Sequence, residues 1–288
     1  MKLATLLVRS LKHVAVLEGD EYILLDQQAG DLSELAGLSV TELEKLKAAS
    51  IERVSATDAQ FLAPIQRFRR DVLCTGWNYW DHFEEGIGRR EGQEVERPTA
   101  PTFFTKAPNS LTGPYDDIPL DLSLSEKWDY EGEMAIVIGR EGCSIKAEKA
   151  MEHVFGYMLA NDVSQRDLQR RHGGQWLKGK SLDRCSPIGP YIATADEIDL
   201  SEVRIETRVN GALRQSASTR QMAFSLEELI AELSFGMTLF PGDVILTGTP
   251  SGIGMARNPP EFLQPGDEIV ITATGLGELR NRCRNMAN

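Results

Sequence analysis

The sequence predicts a β-rich α+β fold. Short β-branched runs bounded by Gly, Pro, Asn and Asp turns recur along the chain, while few segments read as long helices. Strand and helix patterns do not alternate regularly, which argues against a doubly wound parallel sheet. A small α+β unit spans residues 1–70 and a larger unit residues 71–288.

In the first unit, strand-like runs at Leu3–Leu7 and Tyr22–Leu25 flank a turn at Glu18-Gly19-Asp20. A helix follows in VTELEKLKAAS, with Thr41 as N-cap and Glu44 three residues on. The larger unit opens with a strand at Val72–Cys74, which leads into a polar, aromatic segment, NYWDHFEEG, read as a short helix. Gly86–Pro101, charged and rich in Gly and Pro, reads as a mobile loop and a candidate lid. Val203–Val209 alternates and runs into Asn210-Gly211, a hairpin turn. Ser225 and Glu228 form a capping box for the helix in LEELIAELSFGM. Two Pro-Gly-Asp turns, at Pro241 and Pro265, each precede a β-branched strand.

Acidic residues outnumber basic ones 43 to 31, a net charge of −12. No basic field would draw nucleic acid or an anionic membrane. An anionic substrate then needs a local positive centre, which a bound cation supplies. The four cysteines are far apart and form no CxxC pair, as expected of reduced thiols in a cytoplasmic protein. The N-terminal apolar stretch is broken by Arg9, Lys12 and His13 and is too short to span a bilayer.

Four constellations carry chemistry. Glu131 and Glu133 sit two apart at the start of an apolar strand, so both leave one face, and Asp162 ends a second apolar run. Oxygen ligands from two strands suit Mg²⁺ or Mn²⁺. Spacing alone fits equally well two solvated glutamates and a helix-capping aspartate. His82 and Glu85 lie three apart on the short helix, where a carboxylate would orient the imidazole as a general base; a surface His–Glu pair has the same spacing. Lys178 and Lys180 lie in a Gly-rich loop, and either has the chemistry to hold developing oxyanion charge. LTGTPSGIG, Leu246–Gly254, opens a strand into a loop whose N–H groups and hydroxyls suit a carboxylate.

Six stretches, in this order, resemble the fumarylacetoacetate hydrolase family: Gly76–Glu85, Phe103–Pro114, Tyr130–Gly139, Asn161–Asp167, Gly179–Asp183 and Leu246–Gly254. The resemblance covers about residues 72 to 280 and leaves the N-terminal unit aside. It implies a mixed β-sandwich or β-roll catalytic domain, a homodimer, and Mg²⁺ or Mn²⁺ held by Glu131, Glu133 and Asp162. It implies His82 and Glu85 as the base dyad and selects Lys180 over Lys178. It places Gln169, Arg166, Lys106, Thr249 and Gly248 around the substrate. The Leu182 of KSLD stands where many members carry Phe.

The leading expectation is metal-dependent hydrolysis of a C–C bond in a 2,4-dioxo acid, through an enolate. Isomerisation of a 2-hydroxy-dienoate, decarboxylation of oxaloacetate and a ureidoglycolate lyase-type reaction are the alternatives. A further alternative, from another class, is a non-catalytic dicarboxylate sensor.

Overall fold

The computed structural model describes residues 1–25, 30–90 and 94–286. The strands and helices of the first 70 residues are β1 (Lys2–Val8), β2 (Leu11–Glu18), β3 (Glu21–Leu24), α1 (Val40–Ala49), β4 (Arg53–Ser55) and β5 (Gln60–Leu62). Then come β6 (Val72–Gly76), α2 (Trp80–Glu85), β7 (Thr102–Lys106), β8 (Leu111–Thr112), β9 (Ile118–Leu120), β10 (Trp128–Asp129), β11 (Gly132–Ile138) and β12 (Val154–Asn161). The chain continues with β13 (Ser164–Gln165), α3 (Arg166–Arg171), β14 (Ser186–Thr194), β15 (Arg204–Val209) and β16 (Ala212–Ser218). It ends with α4 (Leu226–Ser234), β17 (Val244–Leu246), β18 (Glu268–Ala273) and β19 (Gly277–Asn285).

A large mixed sheet runs in the order β4-β3-β2-β1-β14-β12-β11-β17-β6-β7, with β5 beside β1 and β8 beside β14. A second sheet, β16-β15-β18-β19-β9, covers one of its faces. The expected β-rich α+β class is what the chain adopts. The N-terminal strands continue the large sheet, because β1 pairs antiparallel with β14.

Alternation on β11 shows how the layers form. Met134, Ile136 and Ile138 point into the core between the sheets, together with Ile205, Ile271 and Leu279. Ala135 and Val137 point the other way, into a second core with Val14, Leu32, Leu43 and Val244. A strand buried on both faces reads as a continuous apolar run, as EMAIVIG does. At Gly132 a Cβ would overlap the Thr207 side chain of the second sheet, so only glycine allows the sheets to meet there.

Two local expectations differ from the structure. The turn at Gly19 joins β2 to β3, and a separate turn at Arg9-Ser10, both at positive φ, joins β1 to β2. Arg and Ser give no left-handed turn signal, so the extra strand was not legible. The cap of α1 is Ser39 with Glu42, not Thr41 with Glu44. Both pairs have capping-box spacing; the Ser39 cap places Leu43 on the buried side. The Asn210-Gly211 hairpin and the Ser225–Glu228 capping box form as expected.

Candidate active site

The acids stand on adjacent strands. Glu131 immediately precedes β11, Glu133 lies within it, and Asp162 follows β12. The antiparallel register sets Gly132 opposite Asn161 and Glu133 opposite Ala160, and the Asp162 N–H donates to the Glu131 carbonyl at 2.8 Å. Glu131 and Glu133 share the face of Ala135 and Val137, away from the second sheet. All three acids are buried, and one oxygen from each lies within 4.8 Å of the others.

Three buried cations surround them. Lys180 Nζ lies 2.7 Å from Glu131 and 2.8 Å from Asp162. Arg166 lies 2.7 Å from Glu131, and Lys106 lies 2.8 Å from Asp162. Burial opposes charge on Glu131, but Lys180 and Arg166 hold its carboxyl well below the usual range. Burial likewise opposes charge on Lys180, and Asp162 and Glu131 outweigh it, so the ammonium titrates above its ordinary value.

Glu133 differs. It forms no ion pair among the described residues, and its Oε2 accepts only the Gly248 N–H, at 2.7 Å. Burial, then the charges of Asp162 and Glu131, push its carboxyl well above the usual range. With Asp129, four buried carboxylates face three buried cations. That set is short of positive charge, and a divalent ion would reverse the balance. The donors therefore fit a hard cation held by Glu131, Glu133 and Asp162.

The dyad forms the opposite wall. His82 Nδ1 lies 2.8 Å from Glu85 Oε1, and Glu85 Oε2 accepts the Gly252 N–H at 2.8 Å. The carboxylate fixes the proton on Nδ1 and leaves Nε2 as the basic nitrogen. Gly252 has φ +111°, and a Cβ there would run into the Arg214 carbonyl. The Gly-rich loop thus reaches the dyad only through this glycine.

One pocket is lined by His82, Glu131, Glu133, Arg166, Gln169, Lys180 and Thr249. Lys178 is exposed and Lys180 is buried against the acids, so burial separates the two lysines. Gly179 makes the separation possible, since a Cβ would overlap the Gln169 backbone of α3. Gln169 Oε1 accepts from Arg166 at 3.2 Å. Two expected substrate contacts stand elsewhere. Lys106 is wholly buried behind Asp162 and donates to the carbonyls of Val163 and Lys180. Gly248 spends its N–H on Glu133. Thr249 donates to the Gly132 carbonyl at 3.0 Å and accepts from Gln215 at 2.8 Å.

Several site residues escaped the sequence reading. Asp129 holds Arg166 through two contacts of 2.9 Å and accepts the Gly254 and Met255 N–H groups. Its place two residues before Glu131 was the available signal. An aromatic wall, Trp77, Phe104 and Trp176, packs edge to face, with ring centroids 4.8 Å and 5.1 Å apart. At Gly76 a Cβ would come within 2.6 Å of Trp176. Trp77 has φ +54°, a conformation a bulky residue rarely takes outside functional sites. Arg90 lines the pocket as well.

A two-sheet α+β fold thus carries a buried acid trio opposite an oriented histidine, the arrangement of an enzyme site. The family model described as fumarylacetoacetate (FAA) hydrolase C-terminal matches residues 71–284. The chain belongs to that family. It is 42% identical over 268 residues to the oxaloacetate tautomerase YisK of Bacillus subtilis, covering 93% of this chain and 84% of that protein. It is 45% identical over 237 residues to the human mitochondrial oxaloacetate tautomerase FAHD2A, covering 82% of this chain and 73% of that one. Among solved structures, a fumarylacetoacetate hydrolase from psychrophilic Exiguobacterium antarcticum superimposes with a TM-score of 0.85 at 40% identity, over 99% of each chain. No described helix is long and apolar enough to cross a membrane.

Proposed function

We propose that this chain is an oxaloacetate tautomerase, interconverting the enol and 2-oxo forms of that acid. The observation that carries the reading is the placing of a proton carrier, His82 Nε2, on the same pocket as the acid trio and Lys180. A keto–enol shift needs a base near C3 and positive charge near the oxygen on C2. Relatives named for that reaction support this choice over the hydrolase expectation.

Glu131, Glu133 and Asp162 would hold Mg²⁺ or Mn²⁺, which when bound supplies Lewis-acid polarisation of a 2-oxo group. As the enol becomes the oxo acid, the C2–OH proton passes to His82 Nε2, directly or through water, and the imidazolium so formed delivers a proton to C3, so no net proton is consumed. The reverse direction returns both. Glu85 keeps Nδ1 protonated throughout, and Lys180, charged at neutral pH, holds the negative charge that develops on the C2 oxygen. Burial of the pocket floor strengthens these interactions.

The test is the decay of enol oxaloacetate, followed by its ultraviolet absorbance, with added Mg²⁺ and with EDTA. The expected result is a metal-dependent acceleration that His82→Ala removes. Decay at the solvent rate with every divalent ion tried would overturn the reading. A second reading, hydrolysis of a 2,4-dioxo acid, draws on the hydrolase neighbour of similar fold. There His82 would take a proton from water attacking the distal carbonyl. Cleavage of acetylpyruvate, measured in the same preparation, decides between them.

A further inference from the structure

The loop that anchors the dyad is itself held from the floor. The Gly252 N–H fixes Glu85 at 2.8 Å, and Glu85 fixes His82 at 2.8 Å. Gly252 is also held at its other end, where its carbonyl accepts the Tyr130 hydroxyl at 2.9 Å. Further along the loop, the Gly254 and Met255 N–H groups donate to Asp129, at 2.7 Å and 3.0 Å. Asp129 and Tyr130 directly precede Glu131 in the chain. One stretch of backbone therefore supplies a floor carboxylate and the two side chains that hold the loop.

Tyr130 is not among the residues that line the pocket. It is 2% exposed and belongs with Met134 and Ile136 to the core between the sheets, on the face opposite to Glu131 and Glu133. Phenylalanine would fill that place in the core equally well. The hydroxyl is what needs a reason, and its one hydrogen-bond partner among the described residues is the Gly252 carbonyl. Gly252 needs holding. Its φ of +111° is one that L side chains rarely adopt, and glycine has more freedom than any other residue to leave such a conformation. The N–H of Gly252 belongs to the peptide before its Cα and the carbonyl to the peptide after it. The bonds to Glu85 and from Tyr130 thus fix both peptide planes. With the carbonyl released, both torsions relax and the N–H no longer aims at Glu85.

We infer that Tyr130 is a positioning residue for the reaction: through the Gly252 peptides its hydroxyl sets the orientation of Glu85 and hence of His82. The inference rests on the reading of His82 as the proton carrier of a tautomerase. It ties the wall to the floor, since the segment that presents Glu131 also places the nitrogen that works opposite it.

The experiment compares the Mn²⁺-loaded wild type with Tyr130→Phe, which keeps the ring and removes only the hydroxyl. For the decay of enol oxaloacetate, kcat is expected to fall about 5- to 10-fold, the scale of one net hydrogen bond, with KM and Mn²⁺ affinity unchanged. In a Glu85→Gln background the same change should cost about 2-fold or less, because the hydroxyl acts through Glu85. A second readout needs no turnover. In protein carrying isotope-labelled histidine, the Nδ1–H signal of His82 is identified by its loss in His82→Ala. That signal should move upfield and exchange faster with water in Tyr130→Phe. A wild-type kcat, an equal loss in the Glu85→Gln background, a parallel weakening of Mn²⁺ binding or an unchanged His82 signal would each overturn the inference. If wild type shows no turnover while the signal moves as expected, the tautomerase reading fails and the chain of bonds from Tyr130 to His82 stands.

Discussion

The two walls of the pocket are built in different ways. The acid floor stands on β11 and β12, paired over their whole length in the middle of the large sheet. Its side chains are buried and cross-linked by Lys106, Arg166 and Lys180. The His82 wall stands on α2, a six-residue helix with no side-chain N-cap. It is tied to the rest by Glu85 on the Gly252 N–H, and by Arg89 on the Met255 and Arg257 carbonyls. A ladder fixes the floor, and a few local bonds fix the wall. The lesson is a division of labour: the groups that hold charge sit on a paired sheet, and the group that moves a proton sits on a short helix fastened by a few bonds to a distant loop.

The largest effect should come from breaking the floor. Glu133→Gln removes the one floor carboxylate without an ion pair, and enol turnover should fall on the order of 10⁴-fold, since a Lewis acid is worth several kcal/mol. Titration calorimetry with Mn²⁺ checks the cause, because binding should weaken in parallel. Retained tight binding would show that the other two acids suffice. Breaking the wall should be nearly as costly and leave the floor intact. His82→Ala is expected to lose about 10²–10⁴-fold in kcat with Mn²⁺ affinity unchanged. A concurrent loss of metal binding would show that the walls are not independent.

A gentler change sharpens the same contrast. Glu85→Gln keeps the hydrogen-bonding shape but not the charge that orients His82, and should cost roughly 10–100-fold in kcat, with little change in KM. If its Tm matches wild type, the loss belongs to the wall's chemistry rather than to folding.

The smallest effect near neutral pH concerns neither wall. Burial pushes the Tyr191 phenol and the Cys283 thiol up to about 12 each, both within the core between the sheets. Raised values mean that their contribution to stability is whole below the ordinary 10.0 and 9.0 and is lost as pH rises through about 12. Tm should therefore hold to about pH 9 and fall above it, by a few degrees per kcal/mol lost. Activity lost at a lower pH, with Tm unchanged, would locate the change in the pocket rather than the core.

The tie between Lys178 and Lys180 shows what local pattern leaves open. The two share an extended face by spacing, and burial on the acids separates them. Lys106 and Gly248 lie in the right motifs but support the acids from behind, since only the packed sheet places them on the far side of Asp162 and Glu133. Asp129, two residues before Glu131, and Arg90 lay outside the residues the motifs singled out. Their roles depend on partners distant in sequence, Gly254 at one and the ring of Trp77 at the other.

Through the family resemblance the sequence marked the acid trio and the His–Glu dyad; by itself it determined the strand-rich class, the Asn-Gly hairpin and the Ser225 capping box. Each is a short-range pattern, in which strand period, turn chemistry or helix spacing acts over a few residues. The tertiary structure alone decided which charges are answered within the protein and which are not. That depends on burial and on contacts between distant segments, and it distinguishes Glu133 from Glu131.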